Sequence, residues 1–131
     1  MKKYITADDY KIAKGIDLNI EIQDDDNKSN KVNRFIQDIT DWCVNYLVIN
    51  YDNNDLNENI SSFDDLAEWR QNRFRKGVIN QIEYVLSEGL IDLQSGINQD
   101  LGTITDYSNV VLGNSAYREF KLGGFCNIVS Y

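Results

Sequence analysis

Two stretches of this chain, SNKVNRFIQDITDWCVNYLVIN (29–50) and FDDLAEWRQNRFRKGVINQIEYVLSEG (63–89), repeat apolar residues at intervals of three and four. That spacing draws one stripe on an α-helix of roughly four to five turns. In the first stretch the stripe is Val32, Phe35, Ile36, Ile39, Trp42, Cys43, Tyr46 and Leu47, with Lys31, Arg34, Asp38, Asp41 and Asn45 on the opposite face. In the second it is Leu66, Trp69, Phe74, Val78, Ile82, Val85 and Leu86, interrupted by Gly77. A glycine inside a helix costs about 1 kcal/mol relative to alanine, so close approach of a neighbouring element is its expected compensation. Two amphipathic helices of this length must cover each other's apolar faces. Phe35 and Trp42 are therefore expected against Trp69, Phe74 and Ile82, in a mainly α chain built as a small helical bundle.

Shorter elements are expected around this pair. Thr6 and Asp9 have the spacing of a capping box that opens a short N-terminal helix, and Gly15 closes it. Residues 17–30, DLNIEIQDDDNKSN, read as a loop with room for a brief strand at 18–22, delivering Asp26, Asn27 or Ser29 as N-cap of the first long helix. The polar connection 51–63 is longer than a bundle turn requires and offers Ser62 and Asp65 as a second capping box. Gly89 ends the second long helix. Beyond it, turns are expected at Ser95-Gly96 and Leu101-Gly102, with a β-prone extended segment over 103–112. Asn114 or Ser115 opens a short C-terminal helix, which Gly123-Gly124 breaks before an apolar tail.

A length of 131 residues suits one domain able to bury a core without disulfides or metal. The net charge of −8 argues against neutralising duplex phosphates and against docking on an anionic membrane. Acid is concentrated in residues 1–65, which hold 14 Asp and Glu against 7 Lys and Arg, whereas residues 66–131 hold 7 against 6. One end or face is expected to be strongly negative. Cys43 and Cys126 stand in apolar patterns and lack a metal-ligand or CxxC spacing, so both read as buried small residues. No apolar signal core opens the chain and no run approaches the roughly 18 apolar residues of a membrane span, which implies a protein made and kept in a reducing cytoplasm.

Chemical motifs are sparse. The chain has no histidine, the commonest proton shuttle near neutral pH. DDDNKSN (24–30) and DNNDLNEN (52–59) suggest calcium loops, but the twelfth position falls on Phe35 and Phe63 where a bidentate glutamate is needed. Solvated turns and helix-capping carboxylates explain both runs. No carboxylate sits in an apolar stripe, no serine has a histidine partner, and no phosphate-loop pattern occurs. The expectation is a protein that is not an enzyme, with no catalytic residue, no metal and no cofactor. Arg70, Arg73, Arg75 and Lys76 form the one basic cluster. They read either as a solvated helix face or as a surface that pairs with the acidic half of a neighbouring subunit. The tail, with Phe125, Ile128, Val129 and Tyr131, is apolar enough to dock on a partner.

The segments KKYITADDYKIAKGIDL, DDDNKSNKVNRFIQDITDWCVNYL, LAEWRQNRFRKGVINQIEYVLSEG, SGINQD and SAYREFKLGGFCNI together resemble the small head–tail connector, or adaptor, proteins of tailed bacteriophages of Gram-positive hosts. The resemblance runs over nearly the whole chain. It rests on a first helix with ITxxDYK, an Asp-Trp pair at Asp41-Trp42, and a helix opened by Ala67-Glu68-Trp69-Arg70. It implies a single helical connector domain over 1–131 without enzymatic activity, present as a homo-oligomeric, dodecameric ring in the neck of the virion. The implied partners are the portal protein and a downstream neck or tail completion protein. The ring would extend the DNA channel without sequence-specific binding and without a membrane. Interface roles are expected for Arg70, Arg73, Arg75, Lys76, Phe125, Ile128, Val129 and Tyr131. The alternative reading is an acidic, phage-encoded binding module that imitates DNA and acts as a monomer or dimer.

Overall fold

The computed structural model describes residues 4–21, 30–51, 53, 56, 63–90, 97–98, 102–103 and 109–126. The described chain is mainly α. Helix α1 (Ala7–Lys14) opens on the expected capping box: the Asp9 amide donates to Thr6 Oγ1 at 3.2 Å and the Thr6 amide donates to Asp9 Oδ2 at 2.8 Å. It closes on Gly15, whose φ of 73° lies in the left-handed region that a side chain would strain. The strand expected over 18–22 is instead a helical turn, α2 (Leu18–Glu21), with the Ile20 amide donating to the Asp17 carbonyl. A strand would put Leu18 and Ile20 on one face. The helical turn separates them, so Leu18 is fully buried while Ile20 stays 76 % exposed.

Helix α3 (Asn30–Tyr51) buries Val32, Phe35, Ile36, Ile39, Cys43 and Leu47, as the periodicity predicts. Trp42 and Tyr46 of the same stripe are half-buried at its edge, stacked on each other with ring centroids 5.4 Å apart. The N-cap candidates Asp26, Asn27 and Ser29 lie outside the described residues. So does Ser62. Phe63–Asp65 forms a 3-10 turn, and helix α4 (Glu68–Glu88) starts later than a cap at Ser62 and Asp65 would place it, with Ala67 at the N-cap and no side-chain cap bond. The Gln71 side chain ties this entry to the helix by donating to the Leu66 carbonyl at 2.9 Å.

The core forms around α4. Phe74 is its hub: the rings of Tyr4, Phe63, Phe120 and Phe125 all lie 5.0–5.7 Å from it between centroids. Val78, Ile82 and Val85 continue the buried stripe toward Gly89, which caps the helix with a φ of 61°. Trp69 does not belong to this stripe. It is 58 % exposed, because at about 100° per residue it stands about 180° around α4 from the buried Val78.

Beyond α4, β1 (Ile97–Asn98) pairs antiparallel with β2 (Gly102–Thr103), Ile97 opposite Thr103 and Asn98 opposite Gly102. Gly102 is thus a paired residue where a turn was expected, and Ser95-Gly96 lies outside the described residues. Of the β-prone segment 103–112, Thr103 alone is in a described strand. Residues 104–108 are outside the description, and 109–112 run without regular structure, with Val110 buried.

Helix α5 (Asn114–Leu122) lies along α4, and the expected close approach at Gly77 is made by Phe120: a Cβ on Gly77 would overlap its ring. The approach to α5 is fixed by Gln81. This side chain is fully buried, donates through Nε2 to the Val111 carbonyl at 2.8 Å and accepts through Oε1 from the Gly113 amide at 2.9 Å. Both polar atoms are satisfied, so the burial carries no desolvation deficit. After α5, Gly124 at φ 84° turns the chain inward and delivers Phe125 into the core, where it is fully buried.

Candidate interaction surface

The basic cluster of α4 is drawn into the subunit. Arg70 donates through Nε to the Gly123 carbonyl at 2.8 Å and lies 5.0 Å over the Phe125 ring. Arg73 pairs with Glu119 at 2.8 Å. Arg75 donates to the Tyr4 carbonyl at 3.1 Å and lies 5.6 Å over Phe63. Each guanidinium therefore bolts a different segment to α4: the C-terminal turn, α5 and the N-terminal residues. Fork-shaped donors suit this because one group satisfies a carbonyl and covers a ring together. Lys76 is exposed on the floor of a shallow groove, between Ala13 and Lys14 of α1 and Glu119 of α5.

Phe125 was expected to dock on a partner, and the structure corrects this. It packs against Phe74 with centroids 5.7 Å apart, and its carbonyl accepts from the Asn53 side chain, whose Nδ2 also donates to Leu47 at the end of α3. The apolar tail thus starts as core. Ile128, Val129 and Tyr131 lie outside the described residues.

Beside the exposed Ile49, Trp69 and Val111, two outward faces among the described residues group several apolar side chains with charges, and neither was expected from the sequence. On α5, Ala116 and Phe120 point inward, which turns Arg118, Lys121 and Leu122 outward. Leu122 is 52 % exposed, and Lys121 lies 6.0 Å over the ring of Tyr117. Among the described residues neither Arg118 nor Lys121 has an ion-pair partner. On the other flank, α1 points Tyr10 inward and leaves Ile12 85 % exposed, followed by Ile16 and Ile20. Lys14 of α1 is occupied by Glu83 of α4 at 3.2 Å. A count of 3.6 residues per turn from Phe120 or from Tyr10 would have exposed both faces, but each of these helices repeats its pattern over only two or three turns.

The remaining chemistry is passive. Burial pushes the Cys126 thiol up to about 11, against the opposing pull of Lys121, and holds Cys43 higher still. Thiols held protonated this way are poor nucleophiles. Tyr51 is also raised, first by burial and then by the neighbouring Cys126 and tyrosines. Among the described residues no group of three or more His, Cys, Asp or Glu side chains is placed to hold a metal ion, and no helix is long and apolar enough to cross a membrane. A polar cleft bounded by Asn80, Glu83, Ser87, Asn114 and Ser115 lies open to solvent between α4 and α5. No protein-family model, no curated protein and no solved structure matches the chain.

Proposed function

We propose that this protein is a structural component of a tailed-phage virion, a head–tail connector that forms a ring beneath the portal and carries the DNA channel onward to the neck or tail. The observation that carries the reading is the sequence resemblance, which spans nearly the whole chain and includes both long helices. The helical fold is of the kind that resemblance implies. Further support comes from what the subunit exposes: apolar side chains on two separate flanks, one of them basic, in a chain of net charge −8. An acidic subunit lines a DNA conduit without adhering to the duplex, because it offers the phosphates no row of cations.

The partners in this reading are the portal, a downstream completion protein and further copies of the chain. The experiment is imaging of purified particles by cryo-electron microscopy, together with mixing of the purified protein and portal rings. The reading predicts density of this subunit in a ring at the neck and co-sedimentation with the portal. A particle neck complete without it, or a persistent monomer that captures a nucleic-acid-binding protein, would replace the connector by the DNA-imitating module.

A further inference from the structure

We propose that copies of this chain assemble head to tail, the basic and apolar outer face of α5 on one copy seating on the isoleucine face of α1 and α2 on the next. The inference builds on the ring reading above and names the two surfaces such a ring would use.

Position comes first. Helices α1 and α5 wall the same groove over Lys76 and Asn80 of α4, one on each side of it. At about 100° per residue, Ile12 stands about 200° around α1 from the buried Tyr10, and Arg118 about 200° around α5 from the buried Ala116. Each face is therefore turned away from the core side of its own helix. Two different patches that point apart make a heterologous contact, and repetition of such a contact gives a ring or an open filament, whereas one self-complementary patch would stop at a dimer.

The chemistry of the two faces matches. Ile12 and Ile20 are 85 % and 76 % exposed, and Ile16 lies between them in sequence. Exposed isoleucines are ordinary one at a time, but three within nine residues, on α1, the turn after it and the contacting α2, concentrate apolar surface on this flank. Asp8 and Asp9 are exposed on the first turn of the same helix, Asp9 also accepting from the Thr6 amide, while the helix's cations lie in its last turn, with Lys11 exposed and Lys14 held by Glu83. The α5 face offers the counterpart: Leu122 and Tyr117 for the isoleucines, Arg118 and Lys121 for the aspartates. Opposite charges at such a rim fix register and speed association, and the apolar centre supplies the adhesion.

The test uses two full-length variants. One carries Ile12→Glu with Ile20→Glu, the other Arg118→Glu with Leu122→Glu. All four positions are exposed, and circular dichroism checks that both variants fold. In sedimentation velocity the wild type is expected to form assemblies larger than a dimer and each variant to remain monomeric. Mixed one to one, the variants are expected to form a heterodimer and nothing larger, since each supplies the face the other lacks. A mixture that stays monomeric while the wild type assembles overturns the proposal, as does an α5 variant that assembles like the wild type. If the wild type is itself monomeric at its highest soluble concentration, an Ile12→Cys protein mixed with a Leu122→Cys protein decides the matter. Heterodimeric disulfides in excess of both homodimers support the contact, and no excess overturns it. Particle necks that lack the protein would refute the connector reading and leave the heterodimer result standing. Necks that contain it without heterodimer formation would refute these faces alone.

Discussion

The cations of α4 and those of α5 have the same chemistry and opposite assignments. Arg70, Arg73 and Arg75 turn inward onto a carbonyl, a carboxylate and another carbonyl of the same subunit. Arg118 and Lys121 turn outward from a shorter helix whose buried side is reduced to Ala116 and Phe120. The three arginines of a dense basic cluster thus fasten the fold, while a sparse pair stands on the surface. The difference follows position: α4 has the N-terminal residues, α5 and the C-terminal turn around it, presenting carbonyls and a carboxylate, while α5 makes most of its described helix contacts with α4.

The largest effect is expected where the fasteners and the core meet. Phe74→Ala removes the ring on which four others converge and should cost about 3–5 kcal/mol, a large share of the stability of a domain this size. Urea denaturation should find it unfolded or close to its midpoint without denaturant. Arg70→Ala loses a charge-assisted bond to the Gly123 carbonyl and the cover over Phe125, for about 2 kcal/mol in the same measurement. If its stability equals that of the wild type, the inward assignment is broken. Arg73→Ala is milder, at about 0.5–1 kcal/mol, because its pair with Glu119 is partly open to solvent.

The buried thiols give a pH signature. Cys126 in the folded chain keeps its proton to about 11, whereas an exposed thiol releases it near 9.0. Below pH 9 the folded and unfolded thiols are both protonated and the stabilisation is complete. Between pH 9 and 11 the unfolded chain binds fewer protons than the native one, so stability falls as pH rises, by at most about 1.4 kcal/mol per pH unit for each such thiol. Chemical denaturation across that range should show a shallower slope in Cys126→Ala than in the wild type. Equal slopes would place Cys126 in contact with water. The smallest effect belongs to the outer face: Arg118→Glu should change monomer stability by less than about 0.5 kcal/mol, as exposed substitutions do.

Much of the fold was legible because long helices repeat their signal. The stripes of α3 and α4, the capping box at Thr6 and Asp9, and the helix ends at Gly15 and Gly89 follow from local rules that a chain obeys whatever its neighbours do. The compensation at Gly77 was legible too, although its agent Phe120 was not, because contacts between distant residues leave no periodic mark. Trp69 misled because its apolar character grouped it with the stripe, although nine residues before Val78 it stands about 180° around the helix from that residue. The short turn at α2 was obscured by alternation, since Leu18 and Ile20 fit a strand as well as they fit two sides of a helical turn. Phe125 illustrates the limit of reading a tail as a tail. Only the positive φ of Gly124 and the Asn53 bond show that it folds back into the core. Among the surface residues, the arginines of α4 stood out in the sequence because they are adjacent, while their partners, two carbonyls and Glu119, are invisible to any motif.

The central claim is that α4's arginines hold the subunit together and α5's cations hold subunits to one another. Its most direct test is a paired measurement on two charge reversals, Arg70→Glu with Arg73→Glu and Arg118→Glu with Lys121→Glu, each followed by thermal melting and by sedimentation alone and with portal rings. The account predicts that the α4 pair lowers the melting temperature by several degrees, about 4 °C for each kcal/mol lost, and that the α5 pair melts like the wild type yet fails to assemble. An α4 pair that melts normally and loses assembly, beside an α5 pair that assembles normally, would contradict it.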